Sequence, residues 1–212
     1  MKDQILYIFF GWLLGLLSPA IIEKIKSSYN KKQFFDAICT ELSDLQPRIA
    51  MVSYLLASKY GRLDRETLLT TKYVLLKSNG NESCKGSLKF IETLLSFDDD
   101  QYQTMLAHMK NEHGKSSSLK QISISFIDHN TASISNLPID IQSKIHELRN
   151  QLSYFNDEVR SAQEDARMTF LSNLSDENHA LLKENLHRRY VFISEMGFRV
   201  VQKIENILTS KI

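Results

Sequence analysis

From Ile5 to Ile22 the chain carries no charged residue, and beyond Ile22 apolar residues recur at steps of three and four through most of its length. The first pattern predicts a membrane-spanning helix. At about 1.5 Å per residue the uncharged stretch covers roughly 27 Å, close to the hydrocarbon thickness of a bilayer. Each of its Leu, Ile and Phe residues favours insertion by about 0.3–0.6 kcal/mol near the bilayer centre, against smaller penalties from Ser18, Pro19 and the glycines. Tyr7 lies near enough to one end to serve as an interfacial anchor, whereas Trp12 does not.

The flanks orient the segment. Lys24, Lys26, Lys31 and Lys32 follow it and only Lys2 and the terminal amine precede it, which places the N-terminus outside and the bulk of the chain in the cytoplasm. A cleaved signal peptide is the rival reading, since Ser18-Pro19-Ala20 offers small residues to a peptidase. Against it stand a weak charged region, with Lys2 offset by Asp3, and an apolar run that continues through Ile21 and Ile22. Gly11 and Gly15 have the GxxxG spacing that lets membrane helices associate, although glycines are common in spanning helices. The expected organisation is an anchor over residues 1–25 and a cytosolic helical-bundle domain over 26–212.

Within that domain Phe35, Ile38, Leu42, Leu45, Ile49, Val52 and Leu56 mark one face of an amphipathic helix. Pro47 interrupts it and predicts a kink or break near Leu45 and Gln46, and Gly61 ends it. Asp64 can cap a second helix reaching the turn at Ser78-Asn79-Gly80-Asn81, a third covers Ser87 to Ser96, and Asp98-Asp99-Asp100 suits the start of a fourth. Residues 113–138 are a Ser/Thr-rich loop or, where Ile122, Ile124 and Phe126 alternate before Asp128-His129-Asn130, a short β-ribbon over 119–135.

After Pro138 the pattern is strongest. Ile141, Ile145, Leu148, Leu152, Phe155, Val159, Ala162 and Ala166 follow a four-three repeat, a coiled-coil-like seam. Ser175 starts another helix, whose seam runs through Leu186, Tyr190, Ile193, Gly197, Val200, Ile204 and Ile207. The short connection between them predicts an antiparallel hairpin over 139–212, packed on the helix from Gln33 to Ser58. The seam can serve as this chain's own core or pair with another chain.

Composition narrows the functions. Lys and Arg number 26 against 25 Asp and Glu, which gives no bulk attraction for nucleic acid. Cys39 and Cys84 stand far apart with no CxxC or Cys/His cluster, so no thiolate metal site is expected. Glu184 and His187 have the ExxH spacing of carboxylate-bridged metal sites in helical bundles, but a matching pair on a second helix is missing, and Asp176 with His179 falls on the same helix. His108, Glu112 and His113 form another loose cluster without the spacing of an HExxH site. Lys183, His187, Arg188 and Arg189 could meet an anion or an acidic partner, or simply form a solvated face.

No P-loop, GxGxxG or GxSxG is present, so no cofactor is expected. The expectation is a membrane-anchored, non-enzymatic interaction module whose partners are the bilayer and a protein or a second copy. A membrane effector with oligomerising anchors is the alternative, and a metal-dependent enzyme the third reading.

Overall fold

The computed structural model describes the backbone of residues 2–211 except 62, 79–81, 111–116 and 172–173, and side chains from residue 22 onward except at those positions and at 82 and 83. Eight helices and no strand occur among the described residues: α1 (Lys2–Tyr60), α2 (Arg65–Lys77), α3 (Glu82–Ser96), α4 (Asp99–Met109), α5 (Ser125–His129), α6 (Thr131–Ile134), α7 (Ile139–Met168) and α8 (Asp176–Leu208). Among the described residues no helix is long and apolar enough to cross a membrane. The stretch Ile5–Ile22 lies, but for Ile22, outside the residues whose side chains are described, and so do Gly11 and Gly15.

The core follows from the two seams. Ile141, Ile145, Leu148, Leu152, Phe155, Val159 and Ala162 of α7 are buried, as are Leu186, Tyr190, Ile193, Gly197, Val200, Ile204 and Ile207 of α8. Burying each large aliphatic side chain stabilises the fold by about 1.5–3 kcal/mol, which offsets the entropy of ordering the helices. Lys144 contacts Ser210 at one end and Arg189 contacts Glu158 toward the other, so α7 and α8 are antiparallel. The C-terminal half of α1 also lies antiparallel to α8: Gln46 meets Val201, Ser53 meets Ser194, and Tyr60 stacks on Tyr190. Both α1 and α7 pack mainly on α8 rather than on each other.

The break expected at Pro47 does not occur, and α1 passes through it uninterrupted. Proline leaves the Ser43 carbonyl without its usual donor, but Ser43 is exposed to water. Meanwhile Leu42, Ile49 and Ala50 are fully buried on either side, and buried Gln46 donates to the Val201 carbonyl at 3.2 Å. Tertiary contacts on both sides of the proline keep the helix from breaking there.

Helices α2 to α4 cover another face of α1. Tyr54, Ala57, Leu68, Leu75, Ile91, Leu94 and Tyr102 form their shared cluster. The expected caps are present: the Asp64 carboxylate accepts from Thr67 N–H at 2.7 Å and that of Asp98 from Gln101 N–H at 2.8 Å.

The β-ribbon is the clear correction. Residues 117–124 have no regular secondary structure and pair with no strand, and α5 and α6 follow where the turn and return strand were expected. The segment is a strap laid over the helices, with its backbone groups satisfied by side chains. Asn156 of α7 accepts from Ile122 N–H at 2.8 Å and donates to its carbonyl at 2.7 Å, and Gln163 donates to the Leu119 carbonyl at 2.7 Å. Glu41 of α1 accepts from the N–H groups of Phe126 and Ile127 at 2.8 and 3.2 Å, a capping role supplied from a distant helix. Leu119 and Ile124 are buried in the two clusters shared with α1, α7 and α8.

Candidate functional site

The charged residues singled out by spacing are separated or paired within the fold. Arg189 bridges to Asp165 at 2.6 Å and Glu158 at 2.8 Å, both on α7. Burial alone would lower its pKa, but the hydrogen bonds from Asp165 and Glu158 outweigh that and raise it, so the guanidinium is committed to tying the hairpin. Arg188 pairs with Glu184 one turn earlier on the same helix. His187 is half-buried with its ring edge-on to Tyr60 at 5.8 Å between centroids. Of the proposed anion patch, Lys183 is left exposed without its neighbours converging on it.

The metal candidates fare similarly. Glu184 faces Arg188, and His187 packs against Tyr60. His108 is exposed near the end of α4, and His113 lies outside the described residues. Among the described residues no group of three His, Cys, Asp or Glu side chains is placed to hold an ion. Burial, with Asp36 nearby, pushes the Cys39 thiol up, so it is not an activated thiolate.

Three arrangements were not foreseen. The first joins α1, α2 and α8: Glu205 accepts from Lys77 at 2.8 Å and from the Gln46 amide at 3.0 Å, with Tyr73 donating at 3.2 Å. Burial would raise the Glu205 pKa, but the bonds from Lys77 and Gln46 prevail and lower it. The second is the tyrosine clasp on the strap, in which Ser117 N–H donates to Tyr190 Oη at 2.9 Å and Tyr190 O–H donates to the Ser117 carbonyl at 2.9 Å. Burial raises the Tyr190 pKa against the lowering effect of the bond from Ser117 N–H. No sequence signal marks either group, because each joins residues from separate elements.

The third lies where α1 leaves the bundle. Every side chain from Ile22 to Gln33 is exposed, so α1 projects as a bare stalk of roughly 16 Å at 1.5 Å per residue. A cleft of about 500 Å³ separates the stalk from the end of α6, and Lys26, Lys31, Asn30 and Asn136 are among its walls, with Glu23. A second, of about 300 Å³, is lined by Ser28, Lys31, Lys32, Asn136, Leu137 and Pro138. Lysine clusters of this kind attract phosphate and carboxylate groups but provide no nucleophile with an adjacent base.

The chain thus has a three-helix core with a helical layer on one side and a projecting basic stalk. No protein-family model, curated protein or solved structure matches it.

Proposed function

We propose that the protein is a membrane-anchored, non-enzymatic interaction module, held by residues 1–25 with its helical bundle on the cytoplasmic side. The observation that carries the reading is α1 itself: one helix spans Lys2–Tyr60, its early part corresponds to the uncharged stretch Ile5–Ile22, and its later part is bundle core. A helix continuous from lipid to core couples anchor and bundle as one lever, which suits a scaffold. Lys24, Lys26, Lys31 and Lys32 follow the apolar stretch and favour retention on the inner side.

The interaction part of the proposal is supported by large apolar side chains left outside the core at the far end of the hairpin. Phe170 is 81% exposed and Leu181 56%. Large apolar side chains left exposed close together can anchor a protein contact. Carbonate extraction of membranes from cells expressing the full chain tests the anchor, and release into the supernatant would refute it. Crosslinking of the full chain tests the contact: Phe170→Ser with Leu181→Ser should abolish a crosslinked partner or dimer, and the absence of any crosslinked species in the parent would remove this part.

The membrane-effector alternative draws on Gly11 and Gly15 alone. A single apolar helix lines a water-filled path poorly, which weighs against it. Dye leakage on overexpression that disappears in Gly11→Leu with Gly15→Leu would favour it over the scaffold.

A further inference from the structure

The strap of residues 117–124 is held in the way a bound peptide is held. Because α1 and α7 rest on α8 and scarcely on each other, a furrow runs between them, and the strap lies in it. Leu119 is buried in the cluster that holds Leu56 of α1, Val159 of α7 and Tyr190 of α8. Ile124 is buried in the neighbouring cluster of the same three helices, and half-buried Ile122 packs against both. Between these anchors Lys120, Gln121 and Ser123 are exposed.

The polar contacts read backbone, not side chains. Asn156 accepts from Ile122 N–H at 2.8 Å and donates to the carbonyl of the same residue at 2.7 Å, and Gln163 donates to the Leu119 carbonyl at 2.7 Å. A carboxamide that both accepts from and donates to one residue would serve any peptide on this path, whereas the pockets of Leu119 and Ile124 select large aliphatic side chains. The strap also leaves the furrow partly open. A cleft of about 330 Å³ runs beside Ser117, Ser118 and Leu119, with Val52, Leu55 and Lys59 of α1 in its wall, and Leu55 is 45% exposed there. Another of about 500 Å³ runs beside Ile122 and Ile124, with Arg149, Asn150 and Ser153 of α7 in its wall. Ordering the strap costs chain entropy along its whole length, against two deeply buried side chains, so it opens more readily than the helices beneath it.

We propose that the furrow between α1 and α7 is a peptide-binding groove in which the strap is an internal competitor. The partner it fits is a protein segment with the strap's own pattern, a large aliphatic residue followed three and five residues later by two more, as at Leu119, Ile122 and Ile124. Such a segment meets only the fraction of chains whose furrow is vacant, so loosening the strap tightens the partner. The site is separate from the anchor and from Phe170 and Leu181, and it rests on neither.

A fluorescent synthetic peptide of residues 117–125, titrated against the full chain in mild detergent and read by anisotropy, tests this. Leu119→Ser with Ile124→Ser in the full chain removes the strap's own anchors and should tighten peptide binding about tenfold or more over the parent. Adding Asn156→Leu to that pair should abolish the gain, because the groove loses its backbone reader. Equal affinity of parent and loosened chain would overturn the proposal, as would equal binding of a scrambled peptide, which would mean apolar adhesion. Hydrogen exchange at residues 119–124 of the parent as slow as in α8 would overturn it too. Should the double-serine chain lose slow exchange in α8 and so be unfolded, Lys120→Gly with Gln121→Gly decides. Both positions are exposed, the change loosens the strap through chain entropy, and peptide binding should tighten severalfold; no tightening would overturn the proposal. Dissociation of a parent dimer by the peptide would give the furrow to the strap of a second copy instead, and would overturn it as well.

Discussion

The hairpin of α7 and α8 and the strap of residues 117–124 are both packed on the same core, yet they are specified in opposite ways. The hairpin satisfies its backbone internally, so its sequence needs only a repeat that keeps one face apolar. Among the described residues the strap has no backbone bonds within itself, and it relies on Asn156, Gln163, Tyr190 and, just beyond it, Glu41. An element that bonds to itself can be read locally, and one that borrows its partners from elsewhere cannot.

The strongest challenge to this contrast is at Gly197, where the hairpin does depend on another element. A Cβ there would overlap the Ser53 hydroxyl and stand 3.2 Å from Ser53 Cβ and 3.4 Å from Phe155 Cε2. Gly197→Leu should therefore cost about 3 kcal/mol or more, or prevent folding, read by thermal or chemical denaturation. An unchanged midpoint would show that α1 and α8 can separate freely.

Next in size is Asn156→Leu, which strands both backbone groups of Ile122. A loss of about 2–3 kcal/mol is expected, with hydrogen exchange accelerated at residues 119–124 and not in α8. Exchange rising equally everywhere would mean that the strap is integral to the bundle. Arg189→Met should cost about 1–2 kcal/mol, because Asp165 and Glu158 lose their shared cation. That effect should fade in high salt, and a salt-independent loss would point to packing.

The Glu205 group gives a pH test. Its folded pKa is lowered from the ordinary 4.5, so its contribution is complete above about pH 4.5 and is lost as pH falls through the lower folded value. Glu205→Gln should remove about 1 kcal/mol at neutral pH and flatten the acid limb of the stability profile. A parallel shift of the whole profile would assign the acid limb to other carboxylates. The smallest effect is expected at Ser53, whose buried hydroxyl has no hydrogen-bond partner among the described residues. Ser53→Ala should be neutral or stabilising by up to about 1 kcal/mol and should relieve part of the strain in Gly197→Ala.

Legibility followed the same division. The seams, the caps at Asp64, Asp98 and Ser175, and the packing of the hairpin on the later part of α1 were all readable. Of the kink or break that Pro47 allowed, the break is absent because Gln46 and its buried neighbours hold α1 against α8 on both sides of the proline. Residues 119–135 form no ribbon although Ile122, Ile124 and Phe126 alternate as a strand would, because the first amides of α5 bond instead to Glu41, some 85 residues away. As for the sites, Lys183, His187, Arg188 and Arg189 look alike in sequence, and only their neighbours show that Arg189 is internal to the hairpin and Arg188 to its own helix.

By itself the sequence determined the helical class, the period of the long helices, the extent of α7 and α8, and the uncharged start followed by lysines, since each depends on residues within a few turns of one another. The tertiary structure alone decided how α1 passes Pro47, where the strap lies, which charges are consumed, and that lysines 26, 31 and 32 flank clefts closed by Asn136. Those outcomes turn on contacts between residues far apart in the chain, whose free energies appear only once the helices have packed.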